Sequence, residues 1–148
     1  MKKLAITVLV PILLVCVALF GLAWWERGAP PGLRPTPVDV NPSALTLDHR
    51  GVHMLITAHH DARIEQTVGE ETWHLYPIFD KGDRDGRHVK VMLRTPLKPN
   101  ALYSYEEREV RGFARPPGRL LPASTGALFK ERGYTLDDEL VLVEEWID

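Results

Sequence analysis

The hydrophobic pattern begins with an uninterrupted apolar run from Leu4 to Trp25, which contains no charged residue. A membrane-spanning helix needs about 20 mainly apolar residues, and this run is long enough. A cleaved signal peptide usually has an apolar core of about 7–15 residues followed by a small-residue cleavage motif. The run lacks such a motif. The pattern therefore predicts a single uncleaved transmembrane anchor within residues 1–27 that contacts the bilayer through residues 4–25.

The residues that flank this run predict its orientation. Lys2 and Lys3 precede it, whereas the charges that follow it cancel. The positive-inside rule then places the amino terminus in the cytoplasm. Trp24 and Trp25 stand where an aromatic belt marks the membrane–water interface. We therefore expect a single-pass protein of the inner (plasma) membrane whose larger, carboxyl-terminal part is extracytoplasmic or periplasmic.

Two segments with different patterns follow the anchor. Residues 28–50 are rich in proline, which favours an extended backbone and predicts a spacer. Residues 51–148 alternate between apolar and polar positions, which is typical of half-buried strands. Five strands are predicted in this domain: Val52–Ala58, Thr72–Phe79, His88–Thr95, Arg108–Ala114 and Leu140–Ile147.

Turn and cap signals separate these strands. An Asp/Gly-rich stretch, residues 80–86, predicts a hairpin tip between the second and third strands. Gly112 within the fourth strand indicates a bulge or a sharp bend. Ser124 or Thr125 is suited to capping a short helix that runs to about Arg132, and Gly133 supplies a left-handed stop.

Five strands and one short helix predict a mainly β fold, namely a small antiparallel barrel similar to an oligonucleotide/oligosaccharide-binding (OB) barrel. The helix is expected after the fourth strand, whereas OB barrels usually carry it after the third. A β-sandwich and an α+β domain remain alternatives.

Composition narrows the chemistry of the domain. The only cysteine, Cys16, lies in the apolar run, which excludes disulfides and cysteine nucleophiles elsewhere. The slight acidic excess after Arg27 argues against nucleic acid as a partner. No serine lies in a nucleophile-elbow sequence, and adjacent carboxylates such as Glu144 and Glu145 are expected to be solvated and to point to opposite faces. We therefore predict that the protein is not an enzyme.

Two sequences suggest metal sites, and each has a simpler interpretation. Asp83-x-Asp85-Gly86 resembles the middle of a calcium loop, but Lys81 and Met92 occupy the first and last ligand positions. It is therefore interpreted as the hairpin tip. His59 and His60 form the densest histidine pair, yet neighbouring residues on a strand point to opposite faces. They are weak metal candidates, and we predict no metal site.

Aromatic and basic residues interleave along the central strands, a mixture that on a barrel surface stacks and binds ligands. They are predicted to form a partner-binding face, most of all toward a membrane protein complex. The predicted residues are Trp73, Tyr76, Lys90, Arg94, Arg108 and Arg111.

The layout of anchor, spacer and small barrel resembles the membrane-anchored haem chaperones of cytochrome c maturation. The resemblance rests on Trp73–Asp80, Val89–Leu93, Pro96-x-x-Pro99 and Glu109-Val110-Arg111-Gly112. It implies an OB barrel and a haem cargo. That family attaches haem through a histidine four residues before a tyrosine, but Lys130 stands four residues before Tyr134 here.

Three functional hypotheses follow. The leading one is a membrane-tethered extracytoplasmic binding or assembly module with no cofactor, accessory to a membrane complex such as a respiratory one. The second is a haem or metal carrier that uses His59 and His60. The third is a small extracytoplasmic hydrolase.

Overall fold

The alternating segments form the strands of a mainly β protein in a computed structural model, which describes residues 12–19, 21, 33–100 and 102–147. Residues 12–19 and 21 are helical (α1), and Thr125–Glu131 forms a second helix, α2. The strands are β1 (Val38–Asp39), β2 (Gly51–His59), β3 (Ile64–Val68), β4 (Glu71–Asp80), β5 (His88–Thr95), β6 (Tyr105–Arg115) and β7 (Thr135–Glu145).

Five of these strands close into a barrel. Hydrogen-bonded neighbours follow the order β2–β6–β7–β5–β4, and β4 returns to β2 through Ile78–Asp80 opposite Ile56–Ala58. Only β5 and β7 are parallel within this ring; the other pairs are antiparallel. β3 extends β4 on its outer edge, and β1 pairs with β2 in parallel. The closed barrel confirms the predicted mainly β architecture.

The predicted strands correspond to the five barrel strands. β5 matches its prediction residue for residue, and β2, β4 and β6 extend theirs by a few positions. β7 begins at Thr135 rather than Leu140 and ends at Glu145. β1 and β3 were not predicted. β1 is only two residues long, and β3 lies on the sheet edge, where all of its side chains are exposed or half-buried.

The barrel interior is filled by every second residue of its strands, as the period of a strand requires. Leu45, which precedes β2, is fully buried among them. This largely apolar interior stabilises the barrel, because burying a side chain such as valine, leucine, isoleucine or methionine contributes about 1.5–3 kcal/mol. Its members are Leu45, Val52, Met54, Ile56, Ala58, Tyr76, Ile78, Val91, Leu93, Val110, Ala114, Val141 and Val143.

A second apolar cluster lies on the outer face of β4, β5 and β7, where α2 covers it. Phe129 of α2 is fully buried there beside Leu142 and Met92. The predicted helix after the fourth barrel strand is therefore confirmed, and Gly133 ends it at a φ of 82°. Ser124 makes no side-chain cap hydrogen bond; instead Thr125 Oγ1 donates to the Pro122 carbonyl at 2.6 Å.

The chain divides into two units, Met1–Arg34 and Pro35–Asp148, and each is described by itself. Part of the segment predicted as spacer, residues 28–50, belongs to the second unit. It supplies β1, a 3-10 turn at Pro42–Ala44 and the buried Leu45. Residues 28–32 lie outside the described residues.

The predicted anchor is described only in part. Residues 12–19 are helical, and their side chains are exposed. Among the described residues, none of the helices has the length and apolar character needed to cross a membrane. The rest of the predicted span and its predicted interface residues Lys2, Lys3, Trp24 and Trp25 lie outside the described residues.

Candidate binding groove beside the β4–β5 hairpin

The loop between β4 and β5 is a self-supporting hairpin tip. Asp83 Oδ1 accepts hydrogen bonds from the backbone amides of Asp85 (3.1 Å) and Gly86 (2.8 Å). Gly82, at a φ of 88°, donates its amide to Thr57 Oγ1 at 2.7 Å. The acidic sequence therefore shapes the loop, as the hairpin interpretation predicts.

A 3-10 turn packs beside this hairpin and is fixed to it by three hydrogen bonds. Ser43 donates its amide and its hydroxyl to the two carboxylate oxygens of Asp80, at 2.8 and 2.6 Å. Lys90 Nζ donates to the Ser43 carbonyl at 2.8 Å. The turn thus becomes one wall of a groove whose other wall is the hairpin.

The groove encloses a cavity of about 350 Å³. Ile78, Phe79 and Val91 contribute to its lining although they are almost completely buried, and the basic side chains of Arg87, His88 and Lys90 stand along its rim. Both carboxylate oxygens of Asp80 already accept hydrogen bonds from Ser43, so this acid is turned toward the wall. Asp83 also lines the groove, where its Oδ1 accepts two backbone amides. The cations at the rim suit an acidic segment.

Arg87, His88 and Lys90 form this basic rim. The exposed Arg87 donates to the carbonyl of Gly86 at 2.7 Å, and its guanidinium lies 5.0 Å from the Tyr134 ring. His88 Nε2 lies 2.8 Å from Asp137 Oδ2, and this hydrogen bond holds the pKa of Asp137 below its usual range. These contacts orient the rim and leave the cations at the surface.

Lys90 and Arg111 are the predicted partner-binding residues that stand near the surface. Lys90 is half-buried at the groove. Arg111 is exposed on the outer face of β6, where its guanidinium lies 3.4 Å from a Glu109 oxygen. The two therefore belong to different parts of the barrel.

Arg94 and Trp73, which were predicted to belong to the partner-binding face, are buried. The Arg94 guanidinium lies 3.8 Å from the Trp73 ring and 3.0 Å from a Glu144 oxygen. Arg115 pairs with the same carboxylate. Burial raises the pKa of Glu144, and this effect outweighs the two nearby guanidinium groups, which favour the charged form and lower the pKa. This cluster ties β5, β6 and β7 together.

Tyr76 and Arg108 also have structural partners. Arg108 donates to both oxygens of Glu145, at 2.5 and 2.8 Å, and to the Tyr76 hydroxyl at 2.9 Å. Burial raises the pKa of the Tyr76 hydroxyl, which keeps it protonated. The six residues predicted to share one binding face therefore do not lie on a common surface, because four of them make contacts inside the barrel or between its strands.

His59 and His60 engage separate partners. His59 is fully buried; its Nδ1 lies 3.0 Å from Tyr134 Oη and its Nε2 lies 2.9 Å from the Asp83 carbonyl. Burial lowers the pKa of His59. His60 Nε2 lies 2.8 Å from Glu106 Oε2. Within the described part of the chain, no three His, Cys, Asp or Glu side chains are grouped so that they could hold a metal ion.

Ser43, Arg87 and His88 belong to the groove but were not among the predicted site residues. Ser43 lies in the segment interpreted as spacer and meets Asp80 across 37 positions of the chain, a contact that no local pattern encodes. The excess of basic residues just before and within β5 was a usable signal for Arg87 and His88.

Comparison with known proteins gives no assignment: no family model matches the chain, and no curated protein or solved structure shows significant similarity to it.

Proposed function

We propose that the protein is a membrane-tethered binding module of the OB type that holds an acidic segment of a partner protein in the groove beside the β4–β5 hairpin. The position of this groove carries the proposal. Counted along the barrel, β4 and β5 are the second and third strands, which carry the ligand face in OB barrels. Because α2 covers the outer face of these strands here, the proposal places the ligand beside the hairpin that joins them.

The strand order supports the OB assignment. Numbered along the barrel, the ring reads one–two–three–five–four, and only strands three and five are parallel. This arrangement is the Greek-key order expected of an OB barrel. The position of α2 after the fourth strand remains a departure from the usual OB pattern.

The apolar run Leu4–Trp25, preceded by Lys2 and Lys3, supports a membrane tether. These features favour an anchor in the inner membrane with the barrel on the extracytoplasmic side. The natural partner of such a module is a membrane protein complex, and the module would act in its assembly, as in a respiratory complex.

The basic rim gives the groove its chemical preference. Arg87 and Lys90 place positive charge at the rim of the groove, and this charge complements an acidic segment of a partner. A role in haem or metal carriage would require His59 or His60 to give up the partners described above, and nothing in their geometry favours this.

The test reverses charge at the rim in the full-length chain. The double variant Arg87→Glu/Lys90→Glu is purified from membranes in mild detergent. The amount of partner that co-purifies with it should be at least about tenfold lower than with the wild type, because like charges across an interface cost several kcal/mol. Co-purifying proteins are quantified by mass spectrometry, and circular dichroism verifies folding.

Arg111→Glu is the matched control, because Arg111 is an exposed cation outside the groove. This variant should retain the partner. Equal retention of the partner by a folded double variant and by the wild type would refute the groove as the binding site.

A further inference from the structure

The chain reaches the groove through a short segment that lies along β2. Val38 and Asp39 pair in parallel with Val52 and His53, and the Val40 amide donates to the His53 carbonyl at 3.1 Å. This pairing is only two residues long, so the backbone alone holds the segment weakly.

His53 adds a side-chain link that depends on a proton. Its Nδ1 lies 2.5 Å from Asp39 Oδ1 on β1, and its Nε2 lies 2.7 Å from Glu109 Oε1 on β6. A neutral imidazole carries one N–H, whereas the imidazolium carries two. Carboxylates only accept, so His53 satisfies both neighbours only when it is protonated.

Arg111 also faces this cluster, and its guanidinium lies 3.4 Å from the same Glu109 oxygen. The hydrogen bond to Asp39, followed by that to Glu109, raises the pKa of His53 above its ordinary 6.5, although desolvation opposes this. Because the pKa is raised in the folded state, the stabilisation is fully present below pH 6.5 and is lost as the pH rises through the raised value.

The segment that His53 holds leads directly into the groove wall. Pro42, three positions after Asp39, is buried, and Ser43 then makes the two hydrogen bonds to Asp80 and accepts the one from Lys90. Loosening β1 therefore frees the chain immediately before the wall.

We propose that protonated His53 is a clamp that fastens β1 to the barrel and so keeps the groove wall ordered, which makes the groove responsive to acidity. The clamp itself is independent of any partner. Its role in regulating binding rests on the proposed function of the groove.

The experiment measures amide hydrogen exchange by NMR in the full-length chain in detergent micelles, labelled with ¹⁵N at valine and serine. Two amides report the outcome. The Val40 amide reports whether β1 stays paired with β2, and the Ser43 amide reports whether the groove wall stays bound to Asp80. Protection factors, corrected for intrinsic exchange, should fall about two- to fivefold at both amides as His53 deprotonates, the size expected of exposed ion pairs. No partner is present, so failure here is distinguishable from failure of the groove proposal.

His53→Gln provides the decisive comparison, because glutamine keeps one N–H donor group but carries no titrating charge. Both amides should then show pH-independent protection. His60→Gln alters another histidine–carboxylate pair, in which His60 lies 2.8 Å from Glu106 and outside both β1 and the groove, and it should retain the wild-type pH dependence.

Protection in the wild type that does not change as His53 titrates would overturn the clamp. A fall in protection at Val40 without one at Ser43 would overturn its coupling to the groove wall. The same pH dependence in His53→Gln as in the wild type would assign the effect to another group and overturn the proposal.

Discussion

The carboxylate of Glu144 is a charge that the fold removes from water. It is 2% exposed and receives the guanidinium groups of both Arg94 and Arg115. Removing such a charge from water costs several kcal/mol, and the paired cations offset that cost only while all members are present. The Trp73 ring over Arg94 further shields the cluster from solvent.

Glu144→Gln should lower the free energy of unfolding by about 3–5 kcal/mol, because it leaves buried arginine charge without its anion. Urea denaturation followed by circular dichroism measures the change. Glu65→Gln is the control: its carboxylate is half-exposed, 3.4 Å from Arg63, so its loss should cost less than about 1 kcal/mol. Equal effects of the two substitutions would contradict this account of the cluster.

Glu144 and Glu145 also show what a local pattern misses. Alternation along a strand correctly predicts that they point to opposite faces: Glu144 meets Arg94, and Glu145 meets Arg108. The expectation that both are solvated is wrong, because both are buried. Their partners lie on other strands, and adjacent acids in a sequence do not reveal them.

At the scale of elements, β6 is shaped by a close approach to β7. A bulge or a sharp bend was predicted at Gly112; the register between β2 and β6 continues through Gly112 opposite Val52, so there is no bulge there. A Cβ at Gly112 would meet the Glu144 carbonyl oxygen and would lie 2.8 Å from Val143 Cγ1. The glycine is therefore explained by backbone proximity.

Gly112→Ala should destabilise the protein by about 1–3 kcal/mol, since neighbouring backbone must move to accept the methyl group. Gly126→Ala is the matched control in α2, where the nearest atom to an added Cβ is Leu136 Cδ1 at 4.0 Å. There alanine should stabilise by up to about 1 kcal/mol through its higher helix propensity. Thermal and urea unfolding compare the two, and a neutral Gly112→Ala would show that β6 and β7 separate easily.

At the scale of the whole molecule, both described apolar cores lie within Pro35–Asp148. A unit with its own core folds independently of an attached segment. The barrel is expected to keep its stability when the preceding unit is removed.

A chain beginning at Pro35 should therefore unfold cooperatively in urea. Its free energy of unfolding should lie within about 0.5 kcal/mol of that of the full-length chain, a range typical of changes away from a core. Circular dichroism and tryptophan fluorescence measure both proteins, with the full-length chain in detergent. A chain from Pro35 that lacks a cooperative transition would show that residues before Pro35 contribute to the barrel.

The sequence by itself determined the local elements, because their causes are local. Alternation at His88–Thr95 predicted β5 without error, and Gly133 marked the end of α2. The apolar run Leu4–Trp25 likewise predicts an anchor from composition alone.

Only the tertiary structure decided which side chains meet. Closure of the barrel pairs Arg94 with Glu144 across 50 positions and thereby removes a predicted binding residue from the surface. The same closure brings Ser43 to Asp80 and creates the groove. The physical reason is that strand propensity acts within a few residues, whereas burial and charge pairing depend on the order in which distant strands become neighbours.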